Sequence, residues 1–105
     1  MHKRTKATSI PTEVRKRVEE RDGQKCLVCG RQGQGFCHYV PRSQGGLGIE
    51  QNLVTLCPDC HREMDNGMNG PMLRAICEAY LREKYIGWSR EKVIYDKWKG
   101  VFEDE

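Results

Sequence analysis

A small α+β domain stapled by its cysteines is the fold class this sequence predicts, and three observations predict it. The chain has 105 residues, one domain's worth at roughly 100–200 residues each. Hydrophobic residues make up 37% and charged residues 31%, so the core is thin and needs a staple. Six cysteines, four of them in two C-x-x-C pairs, offer one. The same composition excludes a multidomain enzyme with a large substrate cleft. It also gives no apolar run of the roughly 18 residues that a membrane span needs. Nor is a secretory leader expected, because Ala7 to Thr12 adds no apolar stretch to the charged Met1 to Lys6. A reducing, cytoplasmic setting is therefore expected, in which paired cysteines point to metal or redox chemistry.

The elements follow in order. Residues 1–8 read as a flexible basic tail. Ser9-Ile10-Pro11 is a helix entry, with a cap-type residue and an early proline. Val14 and Val18 lie four apart, so a helix is expected from about Pro11 to Arg21, stopped by Asp22-Gly23. Lys25 to Arg31 holds the first C-x-x-C knuckle, and residues 32–35 form a turn-rich linker. Phe36 to Val40 is a strand-type run ended by Pro41. A glycine loop, Ser43 to Gly48, leads to a second strand from Asn52 to Cys57. Pro58 opens a helix that carries His61 and Asp65 and ends at Asn66-Gly67. Pro71 opens another, with Leu73, Ile76, Cys77, Tyr80 and Leu81 on one face. Gly87-Trp88-Ser89 breaks it, and Ser89 can cap a last helix carrying Val93, Ile94 and Trp98. The chain thus reads as a single domain: tail 1–8, knuckle-and-hairpin core 26–66, C-terminal helices 71–99.

Cys26, Cys29, Cys57 and Cys60 form C-x-x-C…C-x-x-C with 27 residues between the pairs. Each pair puts two sulfurs on one tight turn, and two turns complete a tetrahedral thiolate shell for zinc. Such a site is structural, since four thiolates leave no open position. A single redox pair is less suited to two matched knuckles. Cys57-Pro58-Asp59-Cys60-His61 also fits the C-x-x-C-H haem-attachment pattern. That reading needs export and leaves the first knuckle without a role.

Two histidines and one asparagine flank the hairpin: His38 at the end of the first strand, Asn52 at the start of the second, His61 on the knuckle helix. The run Cys37-His38-Tyr39-Val40-Pro41-Arg42-Ser43-Gln44-Gly45-Gly46, followed by Asn52-Leu53-Val54-Thr55-Leu56-Cys57-Pro58-Asp59-Cys60-His61, resembles the HNH endonuclease family. The resemblance covers about 40 residues, from Cys26 to Asp65. It is most similar to small free-standing HNH proteins of bacteria and their phages. It implies the ββα-metal fold of a zinc-stapled HNH (His-Me finger) domain with flanking helices. It also implies His38 as the general base, Asn52 as the residue that fixes the loop, and His61 as a ligand of one catalytic divalent metal, whether magnesium, manganese, nickel or zinc. In one position the chain departs from the pattern. The residue before the first histidine is commonly Asp, His or Glu and binds that metal, and here it is Cys37. Either Cys37 is a soft ligand or it is a buried spectator. In the second case Asp65, four residues beyond His61 on the same helix face, is the natural partner ligand.

The resemblance makes DNA the expected partner. The formal net charge is +3, and a zinc with four thiolates leaves about +1, so charge argues little. Arg42 and Arg62 are the candidate DNA-backbone contacts, with Arg15, Lys16, Arg17, Arg21 and the basic tail as extensions. Tyr80, Tyr85, Trp88, Tyr95 and Trp98 are expected in the core rather than as base-stacking platforms. No reading module is evident, so intrinsic sequence specificity is expected to be low. Two alternatives accompany the endonuclease reading. One is a zinc-stabilised module that binds DNA or protein without cutting. The other is a phage packaging accessory nuclease that is active only with a protein partner, in a bacterial or phage-infected cell.

Overall fold

Residues 3–96 are described by the computed structural model. They form helix α1 (Lys3–Thr8), helix α2 (Thr12–Arg21), strands β1 (Gln34–His38) and β2 (Leu53–Leu56), and helices α3 (Pro58–Asn66) and α4 (Gly70–Lys84). Single 3-10 turns lie at Arg42–Gln44, Glu50–Asn52 and Arg90–Val93. None of the described helices is long and apolar enough to cross a membrane.

The hairpin is the centre of the molecule. β1 and β2 run antiparallel, with Cys37 opposite Val54 and His38 opposite Leu53. The register slips between Gln34 and Cys37. All four residues of β2 are buried, whereas β1 alternates. Alternation along a strand sends neighbouring side chains to opposite faces, so Cys37 enters the core and His38 does not. β1 begins earlier than the expected Phe36 because Gly35 belongs to it. A Cβ there would lie 2.7 Å from Glu19 Cγ, and the Gly35 N–H donates to Glu19 Oε2 at 3.2 Å. The absent side chain lets β1 lie close against α2.

The N-terminal residues correct the sequence reading. Lys3–Thr8 is helical rather than a flexible tail. Ser9, expected to cap α2, instead donates its hydroxyl to Thr5 O at 2.7 Å and closes α1. Pro11 holds the α2 N-cap position. α1 docks through backbone: the Gly48 N–H donates to Ala7 O at 3.0 Å, and a Gly48 Cβ would lie 1.9 Å from Ser9 O.

α3 and α4 begin and end as their sequences ask. Pro58 starts α3, and the Cys57 sulfur at its N-cap accepts the Cys60 N–H at 3.4 Å. Leu73, Cys77 and Leu81 form the buried stripe of α4 at spacings of four residues. Ile76 leaves that stripe and is 38% exposed. The expected last helix is, in the described residues, only the 3-10 turn Arg90–Val93. Ile94 leaves helical geometry to form an isolated bridge with Gly46. Trp98 and the rest of that expected helix lie outside the described residues. The core gathers Tyr39, Val40, Val54, Leu56, Met64, Leu73, Leu81, Trp88 and Val93 around the hairpin. Trp88 meets Tyr39 edge to face at 5.6 Å and donates its indole N–H to Gln51 O at 2.7 Å.

Candidate functional site

The first knuckle is a tight turn tied to β2. Cys26 N–H donates to Arg31 O at 2.7 Å, Gly30 N–H to Cys26 O at 3.0 Å, and Leu27 N–H to Thr55 O at 3.0 Å. Gly30 sits at φ +78, a conformation glycine adopts without strain. The second knuckle is the start of α3. Together they bring the sulfurs of Cys26, Cys29, Cys57 and Cys60 within 4.8 Å of one another. Tetrahedral zinc with Zn–S near 2.3 Å needs sulfurs about 3.8 Å apart, so this donor set can hold it. Electrostatics agree. Burial alone would raise the Cys26 thiol, but the N–H groups of Cys29, Cys57 and Val28 outweigh it and bring it to about 7. Burial and the neighbouring sulfurs push Cys60 well above the usual thiol range. Four crowded sulfurs cannot all ionise unless a cation joins them.

Asn52 is fully buried and shapes the loop after β1. Its Oδ1 accepts the Val40 N–H at 2.9 Å, and its Nδ2 donates to Leu47 O at 2.9 Å and Val40 O at 3.2 Å. Gly46 completes the lock, because a Cβ there would lie 1.7 Å from Val40 O. The loop thus returns along β1 and leaves His38 at its mouth. His38 Nε2 lies 3.0 Å from Thr8 O. A carbonyl only accepts, so Nε2 carries the proton and Nδ1 of the neutral ring keeps its lone pair. Burial holds His38 below its ordinary value of 6.5, against the pull of the Thr8 carbonyl. The positive fields of Arg42 and His61 act in the same direction as burial.

His61 and Asp65 pair on one face of α3, Nε2 to Oδ2 at 3.1 Å. Phe36 of β1 faces the His61 ring edge-on at 6.3 Å. The other Asp65 oxygen accepts Arg74 Nη2 at 3.1 Å, and Arg74 also donates to Tyr39 O. Among the described residues, no third ligand-type side chain forms a cluster with His61 and Asp65. Cys37 is 1% exposed. Burial first, and then the fields of Asp65 and Cys77, push its thiol up to about 12.

The candidate cations divide. Arg42 lies beside α1, with Nε 3.4 Å from Thr8 Oγ1 and Nη2 3.3 Å from Ser9 Oγ. Arg62 is exposed and pairs with Asp59 at 2.5 Å. Arg15 pairs with Glu19 and covers Phe36, and Arg17 pairs with Glu50. Arg21 is a correction, for it is no surface cation. It bonds Asp22 at 2.7 Å, Leu53 O at 2.7 Å, Glu50 O at 2.9 Å and Tyr85 Oη at 3.0 Å. Two participants escaped the sequence reading. Thr8 acts through its backbone carbonyl, which no side-chain pattern signals. Arg74 belongs to no motif that singles it out in the sequence.

Comparison with known proteins gives the chain a family. The family model described as HNH endonuclease matches residues 26–67. A protein named anaredoxin, from Nostoc sp. (strain PCC 7120 / SAG 25.82 / UTEX 2576), is 34% identical over 58 residues, covering 52% of this chain and 75% of that protein. The type IV methyl-directed restriction enzyme EcoKMcrA of Escherichia coli (strain K12) is 44% identical over 36 residues. That match covers 34% of this chain and only 13% of the enzyme. No solved structure matches. With two C-x-x-C knuckles gathered around one point, and the family model matched across the hairpin and α3, the chain belongs to the HNH endonuclease family.

Proposed function

We propose that this chain is a metal-dependent endonuclease that hydrolyses DNA phosphodiester bonds. The observation that carries the reading is His38, neutral, with its Nε2 proton committed to the Thr8 carbonyl and Nδ1 left basic. In this reading His38 Nδ1 takes the proton from the attacking water. Asn52 acts one step removed, by holding the loop that orients His38. His61 and Asp65 hold the divalent ion. An ion held there would supply Lewis-acid stabilisation of charge on the scissile phosphate and leaving oxygen. Cys37 is a spectator, so imidazole and carboxylate choose the metal, which favours magnesium, manganese or nickel over a thiolate-selected one. The four cysteines hold a structural zinc. Arg42 and Arg62 contact the backbone, which positions the duplex without specifying sequence.

A second reading has one observation in its favour: Arg74 already engages Asp65. In it the metal site completes only when a protein partner draws Arg74 away, and the chain alone binds without cutting. A plasmid-nicking assay separates the two. Supercoiled DNA is incubated with wild type or His38→Ala in EDTA, magnesium, manganese, nickel or zinc. Metal-dependent relaxation by wild type alone is expected. A folded wild type that cuts in no metal would hand the case to the second reading.

A further inference from the structure

The cleft between α1 and the Arg42–Gln44 turn surrounds Arg42 with groups that the chemistry above does not use. It has a volume of about 330 Å³ and is lined by Thr5, Thr8, Arg42 and Ser43, that is, by three hydroxyls and one guanidinium. Thr8 is only 3% exposed, so its hydroxyl is fixed rather than a wandering surface group. It donates to Thr5 O at 3.3 Å and accepts from Arg42 Nε at 3.4 Å. Ser9 Oγ meets Arg42 Nη2 at 3.3 Å. The end of α1 therefore aims the guanidinium, while Gly48 fixes α1 itself.

This cleft adjoins the candidate base. One residue, Thr8, gives its carbonyl to His38 and its hydroxyl to Arg42. A guanidinium beside the Thr5 and Ser43 hydroxyls matches the oxygens of a phosphate, which accept in a fork geometry.

We propose that this cleft is a second phosphate site, in which Thr5, Arg42 and Ser43 hold the nucleic-acid phosphate adjoining the one presented to His38, while the Thr8 hydroxyl aims the Arg42 guanidinium. The proposal rests on the nuclease reading for its register along the strand, but not for its binding chemistry. α1 then serves twice, orienting the base and gripping the substrate strand. Two phosphates held by one rigid corner fix the direction of the strand across the site.

The test is binding of a short DNA duplex to the zinc-loaded full chain with no other divalent metal. Wild type is compared with Arg42→Ala and with the double variant Thr5→Val, Thr8→Val, which keeps the Thr8 carbonyl. Arg42→Ala should lower the slope of log affinity against log salt by about 0.9, one phosphate's worth. The double variant should bind roughly tenfold more weakly. Single methylphosphonate replacements along the duplex add a sharper readout. One neutralised phosphate beside the preferred nick should weaken wild-type binding and make no difference to Arg42→Ala. Circular dichroism confirms that the variants fold. Unchanged affinity in the folded double variant, or an unchanged interference pattern in the folded Arg42→Ala, would overturn the proposal, as would a wild type that binds without salt dependence. If the chain cuts normally without this dependence, the second site alone is lost. If it shows the dependence yet never cuts, the nuclease reading falls and the phosphate site stands.

Discussion

Asn52 bonds both backbone groups of Val40, accepting its N–H at 2.9 Å and donating to its carbonyl at 3.2 Å. One buried amide thereby replaces the strand partner that Val40, two residues past His38, would otherwise need. Loss of that amide strands three backbone groups inside the protein, because Leu47 O depends on it as well. Asn52→Ala should cost about 3 kcal/mol, measured by denaturant unfolding. Asn52→Asp should do no better, since its second oxygen would face the carbonyls of Val40 and Leu47. A loss below half that size would mean the loop is held by something else.

Gly48→Ala should act on the site rather than on the core. Its Cβ would lie 1.9 Å from Ser9 O, so α1 must move and take the Thr8 carbonyl from His38. Displacements of this size cost about a hundredfold in rate when they disturb a reacting group. Nicking rates and thermal melts read together check this. A wild-type rate in Gly48→Ala would detach α1 from the chemistry.

Acid should attack the molecule at Asp22. Its side chain is fully buried beside Arg21. It also accepts from Tyr80 Oη and from the Thr55 N–H, the latter at 3.0 Å. Burial alone would raise Asp22, but the bonds from Arg21 and Tyr80 outweigh it and hold the carboxyl below its usual 3.8. The unfolded chain then binds the proton more readily. The stabilisation is complete above 3.8 and drains away as pH falls through the lowered folded value. Asp22→Asn should flatten that acid slope and cost about 3 kcal/mol at neutral pH. Urea midpoints across the acid range test it, and an unaltered slope in the variant would refute it.

Metal removal should unfold the domain. Chelation leaves four crowded sulfurs and a thin core, and structural zinc sites commonly carry the folding free energy of small domains. Elemental analysis should find one zinc per chain. Helical circular dichroism should collapse with a strong chelator and return when zinc is added. Lower pH should ease the release, because protons compete for the thiolates. A chelated chain that still melts cooperatively would assign the staple elsewhere.

How much of this the sequence disclosed depends on how local each signal was. The knuckles, the hairpin and α3 are read from neighbouring residues: paired cysteines, prolines at element starts, a glycine loop. Those features survive without tertiary information. α1 did not, because Lys3–Thr8 carries no apolar stripe and docks through backbone atoms. Arg21 misled for a related reason, since its partners Glu50, Leu53 and Tyr85 lie 29, 32 and 64 residues away. At the site, the order His38, Asn52, His61 was visible, as was the Cys37 departure. Arg74 on Asp65 was hidden, because α4 meets α3 only in the fold. Ser89 offered a plausible cap, but the Ile94 bridge to Gly46 outcompeted a helix.

The burial of Cys37 and Cys77, which are 1% and 0% exposed, leaves packing alone to mask two of the six cysteines from a colorimetric reagent. A zinc held by the four knuckle sulfurs would mask them, and packing masks the other pair. The intact protein should therefore look nearly thiol-free in a short incubation. Chelation should release all six equivalents together, because loss of the metal also opens the packing around Cys37 and Cys77. The molecule thus reports its own integrity in whole numbers, with no need for an assay of its activity.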